Sequence, residues 1–125
     1  MQLESLVAAI EQHRVETPDA ASCTFAAVTA AAESCHYSNS DPRLGIDFQV
    51  HKLPFTTLQV MDPRLVVIAP GACNEKHRHA HESIFVVLAG SAEILIGSQS
   101  TVLQQGEVAC EPRWVVHQSR NRSSS

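Results

Sequence analysis

A series of short apolar segments is the feature that most constrains the fold of this chain. Gly, Pro or polar residues separate these runs, which are rich in β-branched and aliphatic side chains. They span residues 46–50, 55–60, 65–69, 84–88, 92–96, 101–103, 108–110 and 115–116. Short β-rich runs with turn signals at this spacing are typical of an all-β sandwich or barrel. Residues 97–100, with the sequence Gly-Ser-Gln-Ser, predict a hairpin turn between two of the strands.

The N-terminal part of the chain predicts helices. Four apolar residues recur at the i, i+3, i+4, i+7 spacing of an amphipathic helix: Leu3, Leu6, Val7 and Ile10. Asp19 is a suitable N-cap for a second, alanine-rich helix over about residues 20–34, and residues 38–42 predict a loop. We therefore divide the chain into a helical N-terminal extension, residues 1–40, and a β-domain, residues 41–125.

The size and charge of the chain limit the kinds of partner that we expect for it. Its 125 residues fit one core, and its net charge of -4 with no basic stripe predicts no nucleic-acid partner. No apolar run is long enough to span a membrane, which predicts no membrane partner. The N-terminus lacks the basic start and uncharged apolar stretch of a secretory signal, so we expect a cytoplasmic protein.

Histidines at alternate positions carry the densest chemical signal. Residues 77–82 read His-Arg-His-Ala-His-Glu. On an extended strand, alternate side chains point to the same face. Neutral imidazoles that project together into a barrel interior are good ligands for a divalent transition metal. A His-x-His pair alone is equally compatible with exposed or hydrogen-bonded histidines.

Two longer segments around these histidines resemble the paired motifs of the cupin superfamily. In the first, Gly71 is followed after five residues by His77-x-His79, and Gly90 closes the segment. The second segment contains the spaced residues Gly106, Pro112, Trp114, His117 and Asn121. The resemblance implies a cupin-type double-stranded β-helix, a jelly-roll barrel. It also implies that His77, His79 and His117 bind one divalent transition metal, either Fe, Zn, Ni or Mn.

The sequence departs from the family pattern at two positions. Ser83 stands where the family has its metal-binding carboxylate, and Glu82 beside it should face away from His79 unless a bulge turns it inward. His81 either lines the cavity or points into solvent. We favour a site of three histidines with water or substrate in the open positions. Trp114 replaces a motif glycine, so it should alter the rim of the pocket or pack between the turn and the N-terminal helices.

The resemblance implies a metal-dependent cupin that acts on a small organic molecule. A three-His Fe(II) dioxygenase and a Zn, Ni or Mn isomerase or lyase both agree with it, since the fold does not select the reaction. The alternative is a non-catalytic module that binds a metal or a small metabolite. A catalytic role needs a proton-transfer group, for which Glu82, His81 and His51 are the candidates.

The end of the chain suggests a homodimer. Only four residues follow Asn121, whereas proteins of the resembled family usually add another strand. A strand without a neighbour leaves unpaired backbone groups that invite another chain, and two-fold dimers are the commonest assembly. We therefore expect a homodimer in which the residues before Asp41 help to cover the open edge.

Overall fold

A computed structural model describes residues 2–12, 35–55 and 58–125 of the protein. These ranges contain a helix, α1 (Leu3–Gln12), and eight strands: β1 (Cys35–Asp41), β2 (Ile46–Lys52), β3 (Arg64–Ile68), β4 (Ser83–Val86), β5 (Ser91–Ile96), β6 (Gln99–Gln104), β7 (Val108–Glu111) and β8 (His117–Asn121). The predicted class, mainly β with a short N-terminal helix, is confirmed. The second predicted helix, residues 20–34, lies outside the described residues. Within the described residues, no helix is long and apolar enough to cross a membrane.

The first sheet, in the order β1-β2-β3, holds a small hydrophobic core. Ile46 and Phe48 alternate along β2 with exposed residues, as expected for a strand with one buried face. Both pack with the buried Cys73, and the half-buried Val50 and Ile68 cover this cluster. The core therefore joins β2 to the segment that leads into the histidine cluster.

The predicted loop over residues 38–42 is wrong, since most of it belongs to β1. Asp41 pairs with Ile46 across a tight turn in which the Leu44 N–H donates to the Asp41 carbonyl at 3.1 Å. Sequence propensity disfavours a strand this polar, but β1 lies at the edge of its sheet, where polar side chains are usual. The Tyr37 hydroxyl also donates to the Glu75 carboxylate at 2.7 Å, which ties the strand to the next segment.

Two of the predicted β runs form no strand where the structure describes them. Residues 55 and 58–60 are irregular, and Val60 is exposed. Pro54 and Pro63 flank this run, and proline cannot donate to a β ladder. Residues 115–116 are also irregular, because the strand begins later, at His117.

The remaining strands form two further antiparallel sheets, β6-β5-β8 and β4-β7. The predicted hairpin turn is confirmed, since Ile96 pairs with Gln99 around a two-residue loop. In β4-β7, one face carries exposed apolar residues, whereas Ser83 and Glu111 lie on the other face. Within the described residues the strands do not close into a continuous barrel.

The segment from Gly71 to His77 connects the first sheet to β8. The Asp47 N–H donates to the Cys73 carbonyl at 3.2 Å, and the Asn121 N–H donates to the Ala72 carbonyl at 2.9 Å. Cys73 thus bridges β2 on one side and β8 on the other. This arrangement places His77 beside the start of β8.

The predicted apolar stripe of α1 is exposed to solvent in the described structure. Its four residues are Leu3, Leu6, Val7 and Ile10. The expected homodimer, which would bury this stripe or a strand edge, stays a prediction. The same holds for the domain boundary between residues 40 and 41, although the first sheet begins at Cys35.

Candidate metal centre

Backbone pairing places the three predicted histidines side by side. His77 and His117 face each other as an antiparallel pair, with the His117 N–H 2.8 Å from the His77 carbonyl and the reverse contact at 3.1 Å. The His79 carbonyl accepts the Trp114 N–H at 2.8 Å from the turn before β8. Both motif segments are therefore held together by main-chain bonds at the positions of the histidines.

The imidazole rings of the three histidines converge. Each residue offers one ligand atom, and these atoms all lie within 4.8 Å of one another. The Nε2 atoms of His77 and His117 are 3.1 Å apart, and the ring centroids of His79 and His117 are 4.7 Å apart. The sequence predicted this set of residues, and the structure brings all three together.

Backbone carbonyls select the tautomer of each ring. The Nδ1 of His77 lies 2.7 Å from the Glu75 carbonyl, and the Nδ1 of His79 lies 2.7 Å from the His81 carbonyl. The Nδ1 of His117 lies 3.0 Å from the Val115 carbonyl. A carbonyl can only accept a hydrogen bond, so in a neutral ring Nδ1 carries the proton and Nε2 presents a lone pair.

A cation fits the space where these lone pairs meet. In the neutral rings, the Nε2 atoms of His77 and His117 are both acceptors at 3.1 Å, so they cannot hydrogen-bond to each other. A proton or a metal ion removes the repulsion. Metal-binding histidines almost always donate their second ring nitrogen to a fixed partner, as all three do in this cluster. The donor set therefore fits a divalent transition metal.

Burial prepares His117 for binding a cation as a neutral ligand. The residue is only 1% exposed. Burial lowers the pKa of its imidazole below the usual 6.5, and the nearby His77 lowers it further, while the hydrogen bond to Val115 acts in the opposite direction. At neutral pH the ring is therefore uncharged, and its Nε2 lone pair is available.

Glu111, which sequence reasoning missed, lies beside this cluster. It ends β7, is 7% exposed, and places Oε2 3.2 Å from the Nε2 of His117. Burial raises the pKa of the Glu111 carboxyl, whereas the neighbouring His77 and His79 lower it. The signal in the sequence was a carboxylate directly before Pro112 of the second motif. The direction in which this side chain points depends on strand pairing, which the sequence does not give.

The other sequence candidates lie outside the three-His group. The His81 ring stacks face to face on His79, with centroids 3.9 Å apart and planes 2° apart, and Glu82 is exposed. Ser83 is half-buried on β4. His51 is buried on β2, and its Nδ1 has no hydrogen-bond partner among the described residues.

Trp114 lies in the turn that leads into β8. It is 61% exposed, and the guanidinium carbon of Arg78 lies 6.0 Å from the centroid of its ring. The backbone of Trp114 thus contacts His79, while its ring lies beside Arg78. Two concave regions of about 410 and 350 Å³ lie elsewhere, the first against Glu75 and Gln118 and the second against Ile94.

The half of the chain that holds the three histidines matches a known domain family. The sequence model of the Cupin domain family (Cupin_2) matches residues 64–125. The chain belongs to the cupin superfamily. No curated protein matches the sequence of this cupin.

Two solved structures are similar to this cupin. A Cupin 2 conserved barrel domain protein from Salinispora arenicola is 21% identical, with a TM-score of 0.55, over 74% of this chain and 82% of that one. A cupin-2 domain containing protein from Shewanella frigidimarina is 23% identical, with a TM-score of 0.40, over 62% of this chain. The match spans 60% of the Shewanella protein. At these identities the Salinispora likeness supports the fold.

The motif residues of this cupin also have visible structural roles. Gly90 and Gly106 lie in turns with φ values of 74° and 86°, a region that favours glycine. The Asn121 side chain donates to the Ile68 carbonyl at 2.8 Å and accepts the Ser123 N–H at 2.9 Å. Asn121 therefore ties the end of β8 to β3.

Proposed function

We propose that this cupin binds one divalent transition-metal ion, Fe, Zn, Ni or Mn, through His77, His79 and His117. We further propose that the bound ion acts on a small organic molecule. The observation that carries the proposal is the common tautomer of the three rings. All three Nδ1 atoms lie against backbone carbonyls, which leaves the Nε2 lone pairs free to bind, and one ligand atom of each ring lies within 4.8 Å of the others.

The donor set supports a catalytic role. An ion held by three histidines supplies Lewis acidity and open coordination positions, which suit dioxygenase chemistry with Fe(II) and isomerase or lyase chemistry with Zn, Ni or Mn. The exposed rim at His77 and Trp114 leaves room for a small molecule to enter.

A non-catalytic binding module is the second candidate. The two concave regions described above lie away from the histidines, so neither supplies an enclosed substrate pocket at the cluster. A module that captures a metal or a metabolite needs no such pocket. Turnover therefore separates the two candidates.

Metal titration tests the shared part of both candidates. We expect about one Zn(II) per chain. At a free concentration of 100 times the Kd, zinc should stabilise the protein by about 2.7 kcal/mol, which corresponds to a rise in Tm of about 10 °C. His79→Ala should abolish this rise, whereas His36→Ala, an exposed histidine on β1, should preserve it. No stoichiometric binding of Zn, Fe, Ni or Mn to the wild type would refute the proposal.

A second measurement separates the enzyme from the binding module. The Fe(II) form is given a panel of small chelating substrates while dioxygen consumption is recorded, and the Zn, Ni and Mn forms are assayed for isomerase and lyase products. Turnover that His77→Ala abolishes supports the enzyme. Ligand-induced changes in Trp114 fluorescence without turnover support the binding module.

A further inference from the structure

A carboxylate side chain lies directly opposite the position at which the first motif lacks one. Ser83 begins β4 at the position where the resembled family has its carboxylate ligand. In the antiparallel β4-β7 sheet, Ser83 pairs with Glu111. Side chains that are directly opposite in an antiparallel pair lie on the same face, about 4.5–5.5 Å apart at Cβ. The longer Glu111 side chain can therefore occupy the space that a residue at position 83 would reach.

Burial and distance both direct Glu111 toward the histidine cluster. Its side chain is nearly fully buried, and its Oε2 lies 3.2 Å from the Nε2 of His117. Buried carboxylates are rare unless a partner compensates their charge. His117 Nε2 also faces His77 Nε2 at 3.1 Å, so Glu111 Oε2 and His77 Nε2 both lie close to the same ring nitrogen.

These distances match those between neighbouring ligands of one metal ion. With bonds of about 2.1 Å, adjacent ligand atoms are separated by about 3.0 Å in an octahedral shell and about 3.4 Å in a tetrahedral one. The separations of His117 Nε2 from Glu111 Oε2 and from His77 Nε2 are 3.2 and 3.1 Å. Both lie within this interval.

We propose that Glu111 is the carboxylate ligand of the metal centre, supplied by β7 in place of the ligand that Ser83 cannot provide. The inference rests on the proposed function, since it requires that the three histidines bind a metal. It replaces a shell of three histidines and water with one of three histidines and a carboxylate. The carboxylate also reduces the net charge of the loaded site by one unit.

Zinc affinity measured by chelator competition tests this assignment. Glu111→Gln keeps the size of the side chain and removes its charge, and it should weaken zinc binding by about 100-fold. Glu82→Gln removes the neighbouring exposed carboxylate and should change the affinity by less than about 3-fold. Equal affinities for the two variants, within about 10-fold of wild type, would overturn the assignment.

A carboxylate swap across the strand pair gives a second test. Glu111→Ser alone should lose zinc affinity, and adding Ser83→Glu should restore it to within about 10-fold of wild type. Failure of the swap to restore binding in a folded double variant would count against the shared position. If the Glu111 variants do not fold, a crystal structure of the zinc-loaded wild type decides. A Glu111 oxygen at about 2.0–2.2 Å from zinc supports the assignment, and an intervening water overturns it.

The outcomes also separate this inference from the proposed function. A wild type that binds no metal refutes both. A wild type that binds zinc, loses it in His117→Ala and keeps it in Glu111→Gln refutes only the role of Glu111.

Discussion

Replacing Trp114 by glycine and by alanine should reveal the strain stored in the turn before β8. The Val115 N–H donates to the Pro112 carbonyl at 3.3 Å, so residues 112–115 form a β-turn with Trp114 as its third residue. The φ of Trp114 is +61°, the left-handed region in which the resembled motif has glycine. Both substitutions remove the indole, but only glycine removes the steric cost of a Cβ in this conformation.

The expected difference follows from two opposing terms. A left-handed conformation costs an L-residue about 1–2 kcal/mol. Glycine loses about 0.5–1 kcal/mol more than alanine in conformational entropy on folding. Trp114→Gly should therefore be more stable than Trp114→Ala by about 0.5–1 kcal/mol, or about 2–4 °C in Tm. At an ordinary position with negative φ the order would be reversed.

Urea unfolding of the metal-free variants measures this difference. Trp114 is the only tryptophan, so unfolding must be followed by circular dichroism rather than fluorescence. EDTA keeps metal binding from contributing to stability. Both variants retain the main-chain N–H that donates to His79, so their zinc affinities should stay close to wild type. An alanine variant more stable than the glycine variant by about 0.5–1 kcal/mol would show that the turn is not strained.

Two further predictions concern β8. Asn121→Ala removes three side-chain hydrogen bonds, one to the Ile68 carbonyl and two from the N–H and Oγ of Ser123. It should lower stability by about 2 kcal/mol, seen calorimetrically as a fall in Tm of about 8 °C. Ser123→Ala removes the bond from Oγ but keeps the other two, so it should cost less than half of this. Because burial lowers the pKa of His117 below 6.5, the unfolded chain binds more protons, and the metal-free wild type should lose stability relative to His117→Gln as the pH falls from about 6.5 through the folded-state pKa. Burial raises the pKa of Glu111 above 4.5 in the folded protein, so protonation of this carboxyl stabilises the folded state as the pH falls, in a window that starts above 4.5. Glu111 is present in both the wild type and His117→Gln, so the difference between their pH profiles reports on His117. Equal pH profiles in urea titrations would contradict the effect assigned to His117.

Only part of the histidine cluster was predictable from a local signal. The His-x-His spacing alone places His77 and His79 on one face of an extended segment, whereas His117 was assigned to the same site through the resemblance to the second cupin motif. The apolar runs of the sequence also predicted strands β2, β5 and β6. Polar β1 was missed, because its strand character comes from pairing with β2 rather than from its own side chains.

Glu111 was missed for a different reason. Its residue type suits a metal site, but a carboxylate next to Pro112 in a predicted strand is unremarkable in the sequence. Only the register of β4 against β7 places it opposite Ser83 and beside His117. A register shifted by one residue would turn the side chain to the opposite, exposed face of that sheet. The site therefore depends on a long-range pairing that no local pattern encodes.

The tautomer of each histidine ring and the convergence of the three rings have different physical origins. Each Nδ1 donates to a carbonyl only two residues away, so the tautomer that exposes Nε2 is set by the local chain path. Convergence of the rings requires the main-chain pair between His77 and His117, which are forty residues apart. Because the Nδ1 partners are backbone atoms, no side-chain substitution can remove them directly. Variants that loosen the pairing of the two segments should thus separate the rings while leaving each tautomer intact.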